Sequence, residues 1–311
     1  RAPQHLETKT IGEPAAAPML VALLSAVPEF FTRLNGAPEE PPVLGSRLFF
    51  ERAYSMANDG WIMTWASLAL TAALELMSLD SVRYVCLRKG GTKLYLQGVA
   101  CNFINNAILG PPLYELVSNR WMSQPFTAVG CAAMVFAIIF GHSIGYYCAH
   151  RWMHTRRMYW AHRFHHRFNV VVVPVTANAV SVAEYTIAYM APFVVGAAIL
   201  RPDRLSMFIA VGVISLNNLL IHTPKLADAS AKLVPWLFVS TADHLEHHKR
   251  LTAHYAAPTF SIDRMLASVV GKPSDWDSKF DAAEQVEVEE SHSKAVPAQP
   301  ADAYPVGTKT D

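Results

Sequence analysis

The chain has 311 residues, 52% of them apolar and only 16% charged, with a formal net charge of +1. A soluble domain carries about 25% charged residues, so the deficit points to a membrane protein, and the near-neutral charge offers no basic field to draw in nucleic acid. The four cysteines, Cys86, Cys101, Cys131 and Cys148, form no CxxC pair and read as reduced packing residues rather than a disulfide framework or a zinc site.

Residues 1–45 are rich in Pro and Ala, with Pro41-Pro42 near the end, and read as a largely irregular N-terminal segment. Met19 to Phe31 within it has the length of a short interfacial helix or of one packed on the domain. Arg1 to Pro18 lacks the apolar core of a signal peptide. Trp61 to Leu79 is apolar apart from Glu75, and about 20 such residues cross a hydrocarbon core of about 30 Å. Leu94 to Val117 is also apolar but carries Asn102, Asn105, Asn106, Gly110 and Pro111-Pro112, which predicts a broken or re-entrant helix. Phe126 to Tyr147 is the clearest span. Thr186–Leu200 and Leu205–Ile221 flank Arg201-Pro202-Asp203-Arg204 and read as a helical hairpin.

Basic residues cluster at 83–93, after the first span, and at Arg151, Arg156, Arg157, Arg163 and Arg167, after the third. By the positive-inside rule both regions face the cytosol. Residues 271–311 are polar and acidic and read as a disordered tail.

Histidine carries the chemistry. His150 and His154 form HxxxH, which puts two rings on one helix face. His162, His165 and His166 form HxxHH, and His244, His247 and His248 repeat it. On an ideal helix the adjacent pair diverges by about 100°, which lets neighbouring histidines serve two different metals. His222 stands alone at the end of the hairpin. One catalytic zinc needs about three protein ligands, so nine imidazoles suit two metals with positions left open. Imidazole suits iron, zinc, copper and nickel alike. Such ligands donate their second N–H to a carboxylate or carbonyl; Asp243, Glu246 and Asp263 are available, and Glu184, opening an apolar span, is the most suggestive acid. Asn218, one turn before His222, has an amide able to hold a water on a metal. His142 lies about 12 Å from His150 along a helix, too far to share its metal, and is expected to bond a neighbouring helix. His254 is a further candidate to support a ligand, while His5 and His292 are expected to be inert. A non-catalytic metal-binding or transport protein is the competing reading, but transport sites sit within spans and these clusters sit just outside them.

The order HxxxH, HxxHH, lone His, HxxHH, threaded through about four spans and closed by Asp263-Arg264-Met265-Leu266, resembles the fatty acid hydroxylase/sterol desaturase superfamily from roughly Phe126 to Leu266. Three places depart from its pattern: Ser181-Val182-Ala183-Glu184 keeps only the acid of His-Pro-x-Glu, Asn218 stands where some members have a second histidine, and His254-Tyr255-Ala256 replaces Asn-Tyr-Gly. The resemblance implies an all-α membrane protein with several spans and a cytosolic, histidine-rich helical cap, the membrane-embedded oxidase domain covering 46–270. It implies two iron ions held by the nine histidines, O₂ as co-substrate, and electrons from NAD(P)H through a cytochrome b5 and its reductase. It further implies oxidation, by hydroxylation or desaturation, of a sterol, sphingoid base or fatty acyl chain drawn from the bilayer. The membrane implied is that of the endoplasmic reticulum.

Overall fold

The computed structural model describes residues 42–55, 58–122, 127–169 and 171–270. The segment 1–41, including the helix expected at Met19–Phe31, and the tail 271–311 lie outside them. The described residues are helical, with one isolated bridge between Phe238 and Phe260 and no longer strand.

A short helix α1 (Arg47–Ala53) leads to α2 (Asp59–Met77). Asn58 caps α2, its side-chain oxygen accepting from Gly60 N at 2.8 Å and Trp61 N at 3.3 Å, as two of the orphan amides of a helix start require. Helix α3 (Leu79–Leu87) holds the basic turn, and α4 (Gly91–Phe103) starts the return across the bundle.

The break or re-entry expected between Leu94 and Val117 is replaced by a wide, π-type turn over Ile104–Leu109, after which α5 (Gly110–Trp121) continues. The asparagines do not stop the helix because each has a partner. Asn105 Nδ2 donates to Asn178 O and Val180 O (3.2 and 2.9 Å), and Asn106 Nδ2 donates to Asn102 O and Asn102 Oδ1 (3.0 and 3.1 Å). Gly110 and the two prolines start the next helical segment, where missing amide donors cost least.

Helix α6 (Ala128–Met153) is the longest. At 1.5 Å per residue it spans about 39 Å, longer than a hydrocarbon core of about 30 Å, with His150 in its last turn. Helices α7 (Tyr159–His162) and α8 (Val182–Leu200) follow, the latter with a second π-type turn at Tyr185–Met190. The hairpin turns at Arg201, whose φ is +48°, and Asp203 caps α9 (Arg204–Ile221) by accepting from Ser206 N at 2.9 Å. Helices α10 (Ala227–Leu233), α11 (Thr241–Arg250) and α12 (Ile262–Val270) complete the fold.

Helices α2, α6, α8 and α9 are each long and apolar enough to cross a membrane. Their outer faces are apolar, unlike those of a soluble bundle. Large apolar side chains such as Val129, Phe136, Val195, Ile199 and Leu216 point outward and are exposed, whereas Asp59, Ser67, Ser143, Ser206 and Asn218 are buried. Lipid is as apolar as leucine, so helices here associate through close packing and internal polar contacts. Gly145 of α6 gives the close approach: a Cβ there would lie 2.9 Å from Pro192 Cβ of α8. Around it Ile138, Tyr146, Tyr189, Phe193, Met207 and Ile214 form the core. At the end away from the histidines, Arg204 holds buried Asp59 at 2.9 Å, and Asn58 donates to Glu115 at 2.6 Å. Charges kept between spans survive there because each is paired.

Candidate metal centre

The histidines come from four stretches of chain gathered over one end of the bundle. His150 lies in the last turn of α6, and His154 caps that helix. The second cluster is not one ideal helix, as the spacing suggested. His162 ends α7, the chain then turns, and His165 and His166 begin a 3₁₀ turn over His165–Phe168. His222 caps the end of α9, and His244, His247 and His248 sit on α11, whose start is fixed by Ser240 and Asp243 capping each other's amides.

All nine converge. His150, His154, His162, His166 and His247 bring one ring nitrogen each within 4.8 Å of one another, and His165, His222, His244 and His248 do the same. Each adjacent pair is split: His165 and His248 go to the second group, His166 and His247 to the first. The groups share a wall, with the His166 and His248 ring centroids 5.0 Å apart.

Hydrogen bonds fix which nitrogen faces inward. His150 Nδ1 lies 2.7 Å from Tyr255 O, His247 Nδ1 2.7 Å from Ala253 O, and His222 Nδ1 2.6 Å from Asn218 O. A carbonyl can only accept, so each of these Nδ1 atoms carries the hydrogen and each Nε2 keeps a bare lone pair. His162 Nδ1 donates to Glu184 Oε1 at 2.7 Å, both groups being fully buried. The bare Nε2 atoms of His150 and His162 then stand 2.9 Å apart. Two lone pairs at that distance repel unless a cation lies between them. Among the described residues His247 Nε2, both ring nitrogens of His248 and Glu184 Oε2 have no hydrogen-bond partner. Buried polar atoms are rarely left so, and a buried carboxylate calls for positive charge nearby. The donor set therefore fits two cations.

Burial, reinforced by the neighbouring imidazoles, holds His154, His162, His165, His166, His244, His247 and His248 well below the ordinary histidine range. Burial brings His222 down to about 4. At neutral pH the rings are uncharged, the state a metal ligand needs.

Residues 135–268 match the family model Fatty acid hydroxylase. This part of the chain belongs to the fatty acid hydroxylase/sterol desaturase superfamily. No curated protein and no solved structure matches the chain.

Supporting groups of this fatty acid hydroxylase domain were partly visible in its sequence. Ser181, where the family's histidine is missing, accepts from Glu184 N at 3.1 Å and donates to Ala161 O at 2.7 Å, so it starts α8 and ties it to α7. Asp263 accepts from Tyr255 N and Ala256 N at 3.2 and 2.6 Å, which holds the carbonyl that orients His150. Asp243 pairs with Arg264 at 2.6 Å, and Glu246 with Arg250. Sequence reasoning missed Glu75 as a support: it accepts from Val175 N at 2.6 Å and Tyr95 OH at 3.0 Å. Its being the lone acid of an apolar span was the available signal. Asn218 is buried one turn before His222. Its amide donates to Ala177 O at 2.9 Å, and its main-chain carbonyl, not its side chain, meets His222. His142 bonds Tyr189 O of α8 at 3.1 Å, the neighbouring-helix contact expected of it. His254 adopts φ +59° beside Ala253, the acceptor of His247. His5 and His292 lie outside the described residues.

Proposed function

We propose that the chain is a membrane enzyme that oxidises a lipid with O₂ at a pair of iron ions, with His150, His154, His162, His166 and His247 holding one ion and His165, His222, His244 and His248 the other. The observation that carries this reading is the convergence of nine neutral imidazoles in two groups. Iron, when bound, supplies the redox chemistry by which O₂ oxidises an unactivated C–H bond, which zinc lacks.

The protein's own groups do the rest. Glu184 keeps His162 in its Nδ1–H form and balances the charge of the site. The Tyr255, Ala253 and Asn218 carbonyls aim His150, His247 and His222, and the bundle excludes water. Hydroxylation turns one C–H into C–OH and releases one water; desaturation removes two hydrogens and releases two. Each uses one O₂, two electrons and two protons. NAD(P)H, acting through a cytochrome b5 and its reductase, is the proposed electron source. The proposed substrate is a sterol, sphingoid base or fatty acyl chain from the bilayer, and the proposed setting is the endoplasmic reticulum with the histidines facing the cytosol.

The test is metal content and product on purified protein. Wild type should carry two irons per chain and convert lipid with reductant and O₂. His165→Ala and His247→Ala should each lose one metal and more than about 10²-fold in turnover, or about 2.7 kcal/mol of barrier. Full turnover in both variants, or one ion and no oxidation in wild type with any donor, would end the proposal.

A further inference from the structure

Glu75 sits in the last turn of α2, half-buried, and belongs to neither histidine group. It holds two other elements at once. Oε1 accepts from Val175 N at 2.6 Å, and Oε2 accepts from Tyr95 OH of α4 at 3.0 Å. Val175 lies at the start of a 3₁₀ turn over Pro174–Asn178, every residue of which is buried. Pro174 has no amide hydrogen, and Thr176 N donates back to Val173 O at 2.8 Å. The Val175 N–H is thus the kind of donor that the start of a helical turn leaves for a side chain to satisfy.

From this turn a line of contacts runs to the second group of histidines. Ala177 O accepts from Asn218 Nδ2 at 2.9 Å, and Asn218 O accepts from His222 Nδ1 at 2.6 Å. His222 Nε2 then stands 2.8 Å from His244 Nε2. Leu74, Ala177 and Leu219, each on one of the elements involved, pack together in a buried cluster. In the first group, His150, His247 and His162 are aimed by other parts: Tyr255 O, Ala253 O and Glu184. The chain between the turn and Glu184 is pinned separately. Asn105 bonds Asn178 O and Val180 O, and Ser181 bonds Ala161 O. A slackened turn is therefore not passed on to Glu184.

We propose that Glu75 is a positioning residue for the second metal ion alone. It clamps the 174–178 turn, and the turn, through Asn218, sets the direction in which His222 offers its lone pair. The clamp works by where its oxygens lie, not by its charge. This rests on the two-ion reading of the centre and adds an asymmetry to it: one ion depends on an acid of the first span and the other does not. Loss of a group that orients a ligand lowers metal affinity about 10- to 100-fold, and here that loss falls on one ion.

The experiment titrates zinc alone into the purified full chain in nanodiscs and reads the affinity of the ion retained, with no turnover needed. Two parents are used: His247→Ala, which keeps the second group whole, and His165→Ala, which keeps the first. Adding Glu75→Leu should weaken zinc about 10-fold or more in the His247→Ala parent and leave the His165→Ala parent unchanged. Glu75→Gln keeps an acceptor for Val175 N, and its amide can donate to Tyr95 OH, a group that accepts as well as donates. It should restore the affinity of the His247→Ala parent. Asn218→Ala cuts the line nearer the ion and should repeat the selective loss. Equal weakening of both parents by Glu75→Leu overturns the assignment, since the acid then serves the whole fold, and so does no weakening of either. Glutamine as poor as leucine overturns it too, because charge and not the clamp is then what the ion needs. An Asn218→Ala protein with the second ion undisturbed would break the line. Parents that bind no zinc at all would end the two-ion reading, and this assignment with it.

Discussion

At the residue scale the histidines were legible because their chemistry is in the side chain and their spacing is short. Glu184 was legible for a related reason: an acid at the start of an apolar span needs a partner, and His162 is that partner. The acceptors of His150, His222 and His247 were not legible, because they are main-chain carbonyls that any residue supplies. The contact of the Asn218 amide nitrogen with Ala177 O was not legible for the same reason. Burial gives the ligands a pH signature. His222 is held at about 4 in the folded chain against about 6.5 for a free histidine. Below pH 6.5 the unfolded chain therefore takes up a proton that the folded chain refuses, and stability falls as pH falls. The loss from His222 alone reaches roughly 3 kcal/mol by pH 4, and above pH 7 it vanishes. Thermal unfolding of metal-free protein between pH 7.5 and 5 should show a steady drop in midpoint; a flat profile would mean that the rings are not neutral by burial.

At the scale of elements, the spans could be read from apolar length, and the hairpin from its four-residue polar turn. The course of 94–117 could not. Asparagine, glycine and paired prolines are breakers in isolation, but here the Asn105 amide nitrogen donates to carbonyls more than seventy residues away, a tertiary contact no local pattern announces. The second cluster, HxxHH at 162–166, was read as a helix because its spacing allows one. The structure uses a 3₁₀ turn instead, which reaches the same convergence by a tighter backbone. The contact of α6 with α8 depends on Gly145 facing Pro192. Gly145→Val should force these helices apart and cost about 1–3 kcal/mol, as overpacking does. Gly141→Val, where a Cβ meets nothing within 4 Å, is the matched control on the same helix. Equal unfolding midpoints for the two variants would show that the contact is slack.

For the whole molecule, composition already argued for a membrane protein, and large apolar side chains exposed on the long helices, with polar ones buried among an apolar core, agree with it. Sidedness remains a prediction from the basic residues. Cysteines placed at Arg157 and Lys249, both exposed, should react with an impermeant thiol reagent from the cytosolic side alone, in a chain whose own cysteines are replaced. Labelling from opposite sides would dismantle the shared centre. The splitting of His165 from His166 and of His247 from His248 has a consequence of another kind. With an ion in each group, two peptide units would each be tethered to both ions, so the first ion to bind would bear the entropy of holding them still and the second would find them already ordered. Order imposed once and used twice is positive cooperativity without any change of shape. Native mass spectrometry of protein given less metal than it can bind should therefore find chiefly empty and doubly filled chains. A binomial spread, rich in chains with a single ion, would show that each ion arrives indifferent to the other.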